Sequence, residues 1–158
     1  MKRRMALLAA LAAGMGSTGA GMAQAQTVQI GVTLSTTGPA ASLGIAEKNT
    51  VALLPKTLGG LPVNYVVLDD GTEPSQASKN ARRFVDADKV DAMIGSSAVP
   101  TSLAVAEVAA ASKTPVIPLA PFVPKQAEWI FPLPQSVSVM AEPLFEHMKT
   151  KGIGQIGF

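Results

Sequence analysis

The sequence contains no cysteine and only one histidine, His147, among its 158 residues. The lack of cysteine excludes disulfides, thiolate metal ligands and cysteine nucleophiles. A single histidine also excludes any zinc or catalytic site that needs two. Aromatic residues make up 4% and charged residues 15% of the chain, whereas 47% is hydrophobic. This apolar fraction can form the core of one domain of ordinary size and argues against intrinsic disorder.

The first 25 residues have the pattern of an export signal. Residues 2–4 are basic, residues 5–13 are apolar, and Ala-Gln-Ala at 23–25 provides a small-x-small cleavage site. We predict a signal peptide at residues 1–25 and a periplasmic protein. A membrane anchor or a buried first helix is the alternative, but the apolar run is too short for a permanent spanning helix. We expect no membrane anchor after cleavage.

Cleavage after Ala25 removes three basic residues and leaves ten basic and eleven acidic ones. No basic patch remains, so we expect no nucleic-acid partner. The G-x-G-x-x-G match at residues 14–19 lies within the predicted signal rather than between a strand and a helix. We therefore predict no dinucleotide cofactor, and no other cofactor motif occurs.

From residue 26 onward, strand and helix patterns alternate. Val28, Ile30, Val32 and Leu34 recur with the period of two that indicates a strand. Strands are predicted at 28–34, 63–68, 90–94, 115–119 and 153–158, and helices at about 42–54, 74–85, 101–112 and 136–151. Such alternation predicts an α/β fold with a doubly wound, mostly parallel sheet and helices on both faces. The polar stretch at 47–49 should face solvent.

Ligands of such sheets bind beyond the carboxyl ends of the strands. The loops at those ends are 35–44, 69–74, 95–102 and 119–124, and they are rich in small and hydroxylated residues. The loop at 95–102 leads directly into a helix, whose free N–H groups favour a carboxylate. Hydroxyls of Ser96, Ser97, Thr101 and Ser102 can add donors. Ordinary N-capping by one of these hydroxyls is the alternative.

No group of residues with the pattern of a catalytic site emerges. Asp69 and Asp70 suggest a metal pair or acid–base chemistry, but adjacent strand residues point to opposite faces, which favours capping and loop structure. His147 has no G-x-S-x-G serine as a partner, and Trp129 is typical of a packing anchor. We predict no catalytic residue and no metal site, and thus binding rather than an enzyme.

Several segments resemble, in order and spacing, one known family. They are residues 28–39 with 43–44, 68–77, 94–97, 114–120 and 152–158. Together they are similar to the N-terminal portion of the branched-chain amino acid (Leu/Ile/Val) binding proteins, which are type I periplasmic binding proteins of ABC importers.

The resemblance implies a two-lobed clamp that closes on a small solute and delivers it to ABC permease subunits. It implies an N-terminal lobe at 26–152 and the start of a second-lobe strand at 153–158, with the second lobe largely missing from this sequence. It also implies that the loop after the third predicted strand holds the ligand carboxylate, that the loop after the fourth contributes, and that a side chain of the first loop covers the ligand. The implied ligand-binding residues are Leu43, Ser97, Val99, Thr101, Leu119, Ala120 and Pro121.

Two differences from the family pattern imply a more apolar pocket. Val99 stands where the family often has serine, and the segment Ala120-Pro121-Phe122 lacks the usual small hydroxyl residues. Such a pocket would suit an aromatic or aliphatic carboxylate as an alternative to a branched-chain or other hydrophobic amino acid. Other interpretations are a ligand-sensing receptor domain of the same fold, an exported hydrolase with its catalytic residues elsewhere, or a non-functional truncated product.

Overall fold

The computed structural model describes residues 26–125 and 128–155. The predicted signal peptide lies outside the described residues. The strands are β1 (Val28–Leu34), β2 (Thr57–Leu58), β3 (Leu61–Asp69), β4 (Ala92–Ile94) and β5 (Val116–Ile117). The helices are α1 (Ala41–Val51), α2 (Pro74–Asp86), α3 (Val99–Ser112) and α4 (Val137–Thr150). Within the described residues, no helix is long and apolar enough to cross a membrane.

The five strands form one sheet in the order β2-β3-β1-β4-β5. β1 pairs in parallel with both β3 and β4, and β4 pairs in parallel with β5. After β1 the chain forms β3 on one side of it and then crosses to form β4 and β5 on the other side. Since such crossovers are right-handed, α1 covers one face and α2 with α3 the opposite face. The predicted doubly wound α/β fold is confirmed.

A short antiparallel hairpin was not predicted from the sequence. β2 pairs with the start of β3 through Thr57 with Pro62 and Leu58 with Leu61. Gly59 and Gly60 form the two-residue turn, with φ of 57° and 83°. Positive φ at both central residues is what a tight hairpin turn demands, and glycine adopts it without steric cost.

The core lies between the sheet and the α2–α3 pair. Phe84 of α2 is fully buried there with Met93, Val105 and Val116. The Phe84 ring packs against β1 at Gly31, where an added Cβ would lie 2.5 Å from the nearest ring carbon. The glycine in the middle of β1 thus makes the space that the aromatic ring fills.

The last described part of the chain is less packed. α4 has no buried residue, and its Met140 and Leu144 are 48% and 56% exposed. Gly152, with φ of 67°, follows the helix in the left-handed conformation that glycine adopts without steric cost. Residues 153–155 form no strand, and residues 156–158 lie outside the described residues. The assignment of 153–158 to a second-lobe strand stays a prediction.

Candidate functional site

The candidate site lies at the carboxyl ends of β1 and β4. The strand order reverses at β1, so the loops that follow these two strands leave towards opposite faces and open a crevice between them. The two loops are joined directly, because the backbone N–H of Ser35 donates to Oγ of Ser97 at 3.0 Å. This crevice contains the loop at 95–102 that the sequence analysis selected.

A buried carboxylate holds the floor of the crevice together. Asp70 is fully buried and accepts hydrogen bonds from the hydroxyls of Ser96 (2.6 Å), Ser35 (2.7 Å) and Thr33 (3.0 Å) and from the N–H of Thr72 (3.1 Å). Four donors offset the cost of burying the charge. The contacts agree with the prediction that this residue serves loop structure. Among the described residues there is no group of acids and histidines that could hold a metal ion.

The neighbouring Asp69 fastens the loop after β1 to the end of β3. Its carboxylate accepts from the backbone N–H groups of Thr36 (2.9 Å), Thr37 (3.2 Å) and Gly71 (2.9 Å) and from the Thr37 hydroxyl (2.6 Å). Partial desolvation raises the pKa of Asp69, but these hydrogen bonds favour the charged form more strongly and lower the pKa to about 2. Asp69 at the end of β3 thus holds the loop after β1, whereas Asp70 holds the buried hydroxyls of the crevice floor.

The loop after β4 approaches the backbone of β1 very closely. Gly95 has a φ of 113°, and a Cβ there would collide with the carbonyl oxygen of Thr33. The hydroxyl of Ser102 donates to the carbonyl of Ser96 at 2.7 Å and holds the far end of the loop to the first turn of α3. The loop is therefore held at Gly95 by packing against β1 and at Ser96 by the hydrogen bond from Ser102.

The amino end of α3 has free backbone donors. Its N-cap is Ala98, and no side chain caps the helix. The alternative in which a serine or Thr101 caps the helix is therefore wrong, because no side chain caps α3 and the Thr101 hydroxyl donates to the Ala98 carbonyl at 2.9 Å. No described residue accepts a hydrogen bond from the N–H of Val99 or Thr101, and Pro100 between them has none to give. Two uncapped N–H groups thus lie at the positive end of the helix dipole.

Glu47 of α1 is part of this crevice, which the sequence analysis did not predict. It was expected to face solvent, but it is partly buried and accepts a hydrogen bond from the Ser97 hydroxyl. Burial raises the pKa of Glu47, the Ser97 hydrogen bond lowers it, and the nearby Asp70 charge raises it; the net shift is upward. The sequence signal that could have found it is its spacing of four residues from Leu43 on one helix face.

The structure brings most of the residues implied by the resemblance to the same edge of the sheet. Leu43 on α1 is 55% exposed and Val99 is 36% exposed, whereas Ser97 is buried and Thr101 is fully buried. Leu119, Ala120 and Pro121 follow β5, which neighbours β4, and only Ala120 of the three is buried. The hydroxyl protons of Ser97 and Thr101 are both used within the protein.

Comparison with known proteins agrees with this architecture. A family model described as a periplasmic binding protein matches residues 27–158. The chain belongs to the periplasmic binding protein family. An extracellular ligand-binding receptor from Rhodopseudomonas palustris HaA2 is 43% identical, with a TM-score of 0.76 over 80% of this chain. The leucine binding protein LivK from Thermotoga maritima MSB8 is 29% identical, with a TM-score of 0.70 over 79% of this chain.

A third structure shows the fold alone at 23% identity. It is a solute binding protein of an ABC transporter from Rhodopseudomonas palustris BisB5 in complex with 3,4-dihydroxybenzoic acid, with a TM-score of 0.75 over 80% of this chain. The match covers 36% to 38% of the length of these three structures, so the chain spans little more than a third of each. A comparison with curated proteins returned no significant match.

Proposed function

We propose that this chain is the N-terminal lobe of a periplasmic solute-binding component of an ABC importer. It binds a branched-chain or other hydrophobic amino acid, or a related small carboxylate, between two lobes and delivers it to the permease. The uncapped amino end of α3 in the crevice between β1 and β4 supports this most directly. Such a helix end binds a carboxylate through its N–H groups and its dipole.

In this proposal the backbone N–H of Val99, at the positive end of the α3 dipole, holds the ligand carboxylate. Ser97 positions the loop through its bonds to Ser35 and Glu47. The exposed side chains of Leu43 and Val99 supply apolar surface above the carboxylate.

The loop after β5 completes the apolar part of the proposed pocket. Leu119 and Pro121 are partly exposed there, and Ala120 offers only a methyl group beside them. These side chains carry no donor or acceptor, so the backbone supplies the polar contacts of this loop. A hydrophobic ligand body is the chemistry that such a surface accepts.

The wider proposal concerns the setting in which the lobe works. The family model is that of a periplasmic binding protein, and the structure from Thermotoga maritima MSB8 is named a leucine binding protein. We therefore propose a small-molecule solute and ABC permease subunits as partners, a periplasmic location after removal of residues 1–25, and binding without chemistry. No cofactor, metal or nucleic acid has a part in it.

A second candidate is a ligand-sensing receptor domain. The structure from Rhodopseudomonas palustris HaA2 is named an extracellular ligand-binding receptor. The binding site would be the same, and only the protein that responds to the closed clamp would differ. Co-purification of the loaded full-length protein with permease subunits supports the importer; co-purification with a signalling protein supports the receptor.

The binding site is tested by removing one backbone donor. Val99→Pro deletes an N–H at the first helical position, which proline favours, and Ala98 before it already has the extended backbone that a following proline requires. Val99→Ala keeps the N–H and is the matched control. A hydrogen bond to a charged group is worth about 1.5–3 kcal/mol, so Val99→Pro should weaken carboxylate binding roughly 10- to 100-fold.

The measurement is isothermal titration of the full-length natural protein with leucine, isoleucine, valine, benzoate and 3,4-dihydroxybenzoate. Equal affinities of Val99→Pro and Val99→Ala for a ligand that the unaltered protein binds would remove the helix end from the site. Failure of every ligand to bind the unaltered protein would reject the proposed function.

A further inference from the structure

α1 is fixed against the loop after β1 by a close backbone contact. Gly44 is buried in α1, and a Cβ there would collide with the carbonyl of Ser35. Residues three and four positions apart share a helix face, so Glu47 lies on the side of α1 that meets this loop. Leu43, four residues before Glu47, lies on that side as well. The position of Glu47 over the crevice is therefore set by backbone packing.

One oxygen of the Glu47 carboxylate accepts a hydrogen bond within the described chain, and the other does not. The Ser97 hydroxyl donates to Oε2, and Ser97 in turn accepts from the Ser35 N–H, which fixes the direction of the contact. No described residue donates to Oε1, and no lysine or arginine of the described chain forms an ion pair with Glu47. The second oxygen of this partly buried carboxylate is thus a strong acceptor that no described residue uses.

Glu47 and the free N–H of Val99 both belong to the surroundings of Ser97. Ser97 bonds to Glu47 through its side chain, and Val99, two residues later, begins α3 with its free N–H. A ligand carboxylate at the amino end of α3 would therefore lie beside the loop that Glu47 contacts. Burial and the Asp70 charge disfavour ionised Glu47, as its raised pKa shows. An incoming donor would relieve that cost.

We infer that Glu47 is a specificity-determining residue that accepts a hydrogen bond from an N–H or O–H donor placed near the ligand carboxylate. This inference rests on the proposed function and names its ligand class: a hydrophobic carboxylate that also carries a donor. Two sources share this chemistry. One is the ammonium group of an amino acid and the other is the hydroxyl group of a hydroxy acid.

The test compares ligands that differ only in the donor. Leucine, 2-hydroxy-4-methylpentanoate and 4-methylpentanoate are titrated into the full-length natural protein by calorimetry. They carry an ammonium group, a hydroxyl group and no donor. We expect the protein to prefer at least one donor-bearing ligand over 4-methylpentanoate by about tenfold or more. The preferred ligand identifies the source.

The variants are Glu47→Gln and Glu47→Ala, with Glu107→Gln on the exposed part of α3 as the charge-matched control. Glu47→Ala should abolish the donor preference, while any weakening caused by the lost Ser97 contact should affect all three ligands alike. Glu47→Gln should reduce it more for an ammonium, which also loses the charge attraction, than for a hydroxyl, since the amide oxygen still accepts from both. Glu107→Gln should keep it.

Two results would overturn the inference while the proposed function stands. One is binding of all three ligands without a donor preference, and the other is a preference that persists in Glu47→Ala. If none of these ligands and none of those named for the Val99 test binds the unaltered protein, the proposed function fails and the inference fails with it. Melting temperatures of the variants close to that of the unaltered protein show that they are folded.

Discussion

Replacement of Asp70 by alanine should destabilise the protein more than replacement of any exposed acid. The carboxylate is fully buried and accepts three hydroxyl hydrogen bonds and one from a backbone N–H, at 2.6 to 3.1 Å. Each hydrogen bond to a charged group is worth about 1.5–3 kcal/mol, but hydroxyls can turn to other acceptors and the losses do not add. We expect a loss of about 3–5 kcal/mol.

Urea unfolding of the full-length natural protein, followed by circular dichroism, measures this loss. With a slope of about 2 kcal/mol per molar urea, the midpoint should fall by about 2 M. Asp86→Ala removes the same charge from the exposed end of α2 and should change the stability by less than about 0.5 kcal/mol. If Asp70→Ala shifts the midpoint no more than Asp86→Ala does, the buried carboxylate does not hold the crevice together.

Three further predictions concern the core and the loop after β1. Phe84→Ala should cost about 3–5 kcal/mol in urea unfolding, against less than about 0.5 kcal/mol for the exposed Leu53→Ala; equal losses would contradict the core assignment. Gly31→Ala should cost about 1–3 kcal/mol by overpacking the ring, and the loss should shrink when Phe84 is leucine; an unchanged loss would mean that the ring is not the obstacle. The pKa of Asp69 is about 2 in the folded protein against an ordinary 3.8, so ionised Asp69 stabilises the fold above pH 4, and this stabilisation is lost as the pH falls towards 2. Asp69→Asn should therefore flatten the pH dependence of the melting temperature between pH 4 and pH 2. An unchanged slope would refute the assignment of the lowered pKa to Asp69.

Much of the fold could be predicted because local patterns carry it. Apolar residues recur in β1 with a period of two, which indicates a strand, and the alternation of strands with helices indicates a parallel sheet. The hairpin at Gly59 and Gly60 was missed because β2 has only two residues, too few for a period to show. A glycine pair next to a strand was the available signal.

The candidate site could be predicted only in part. The loop at 95–102 was found because small polar residues precede a helix at the end of a strand. The contacts that shape it join residues 26 to 62 positions apart, such as Ser96 with Asp70 and Ser35 with Ser97, and no local pattern reports them. Glu47 was assigned to solvent because its burial depends on the close packing at Gly44, which the sequence does not display.

The most direct test of the account is equilibrium dialysis of the full-length natural protein against hydrophobic amino acids and small carboxylates, with the ligand then identified by mass spectrometry. The account predicts one saturable site, a ligand recovered chemically unchanged, and weaker binding in Val99→Pro than in Val99→Ala. Absence of saturable binding to any of these solutes, or conversion of the ligand during dialysis, would contradict it.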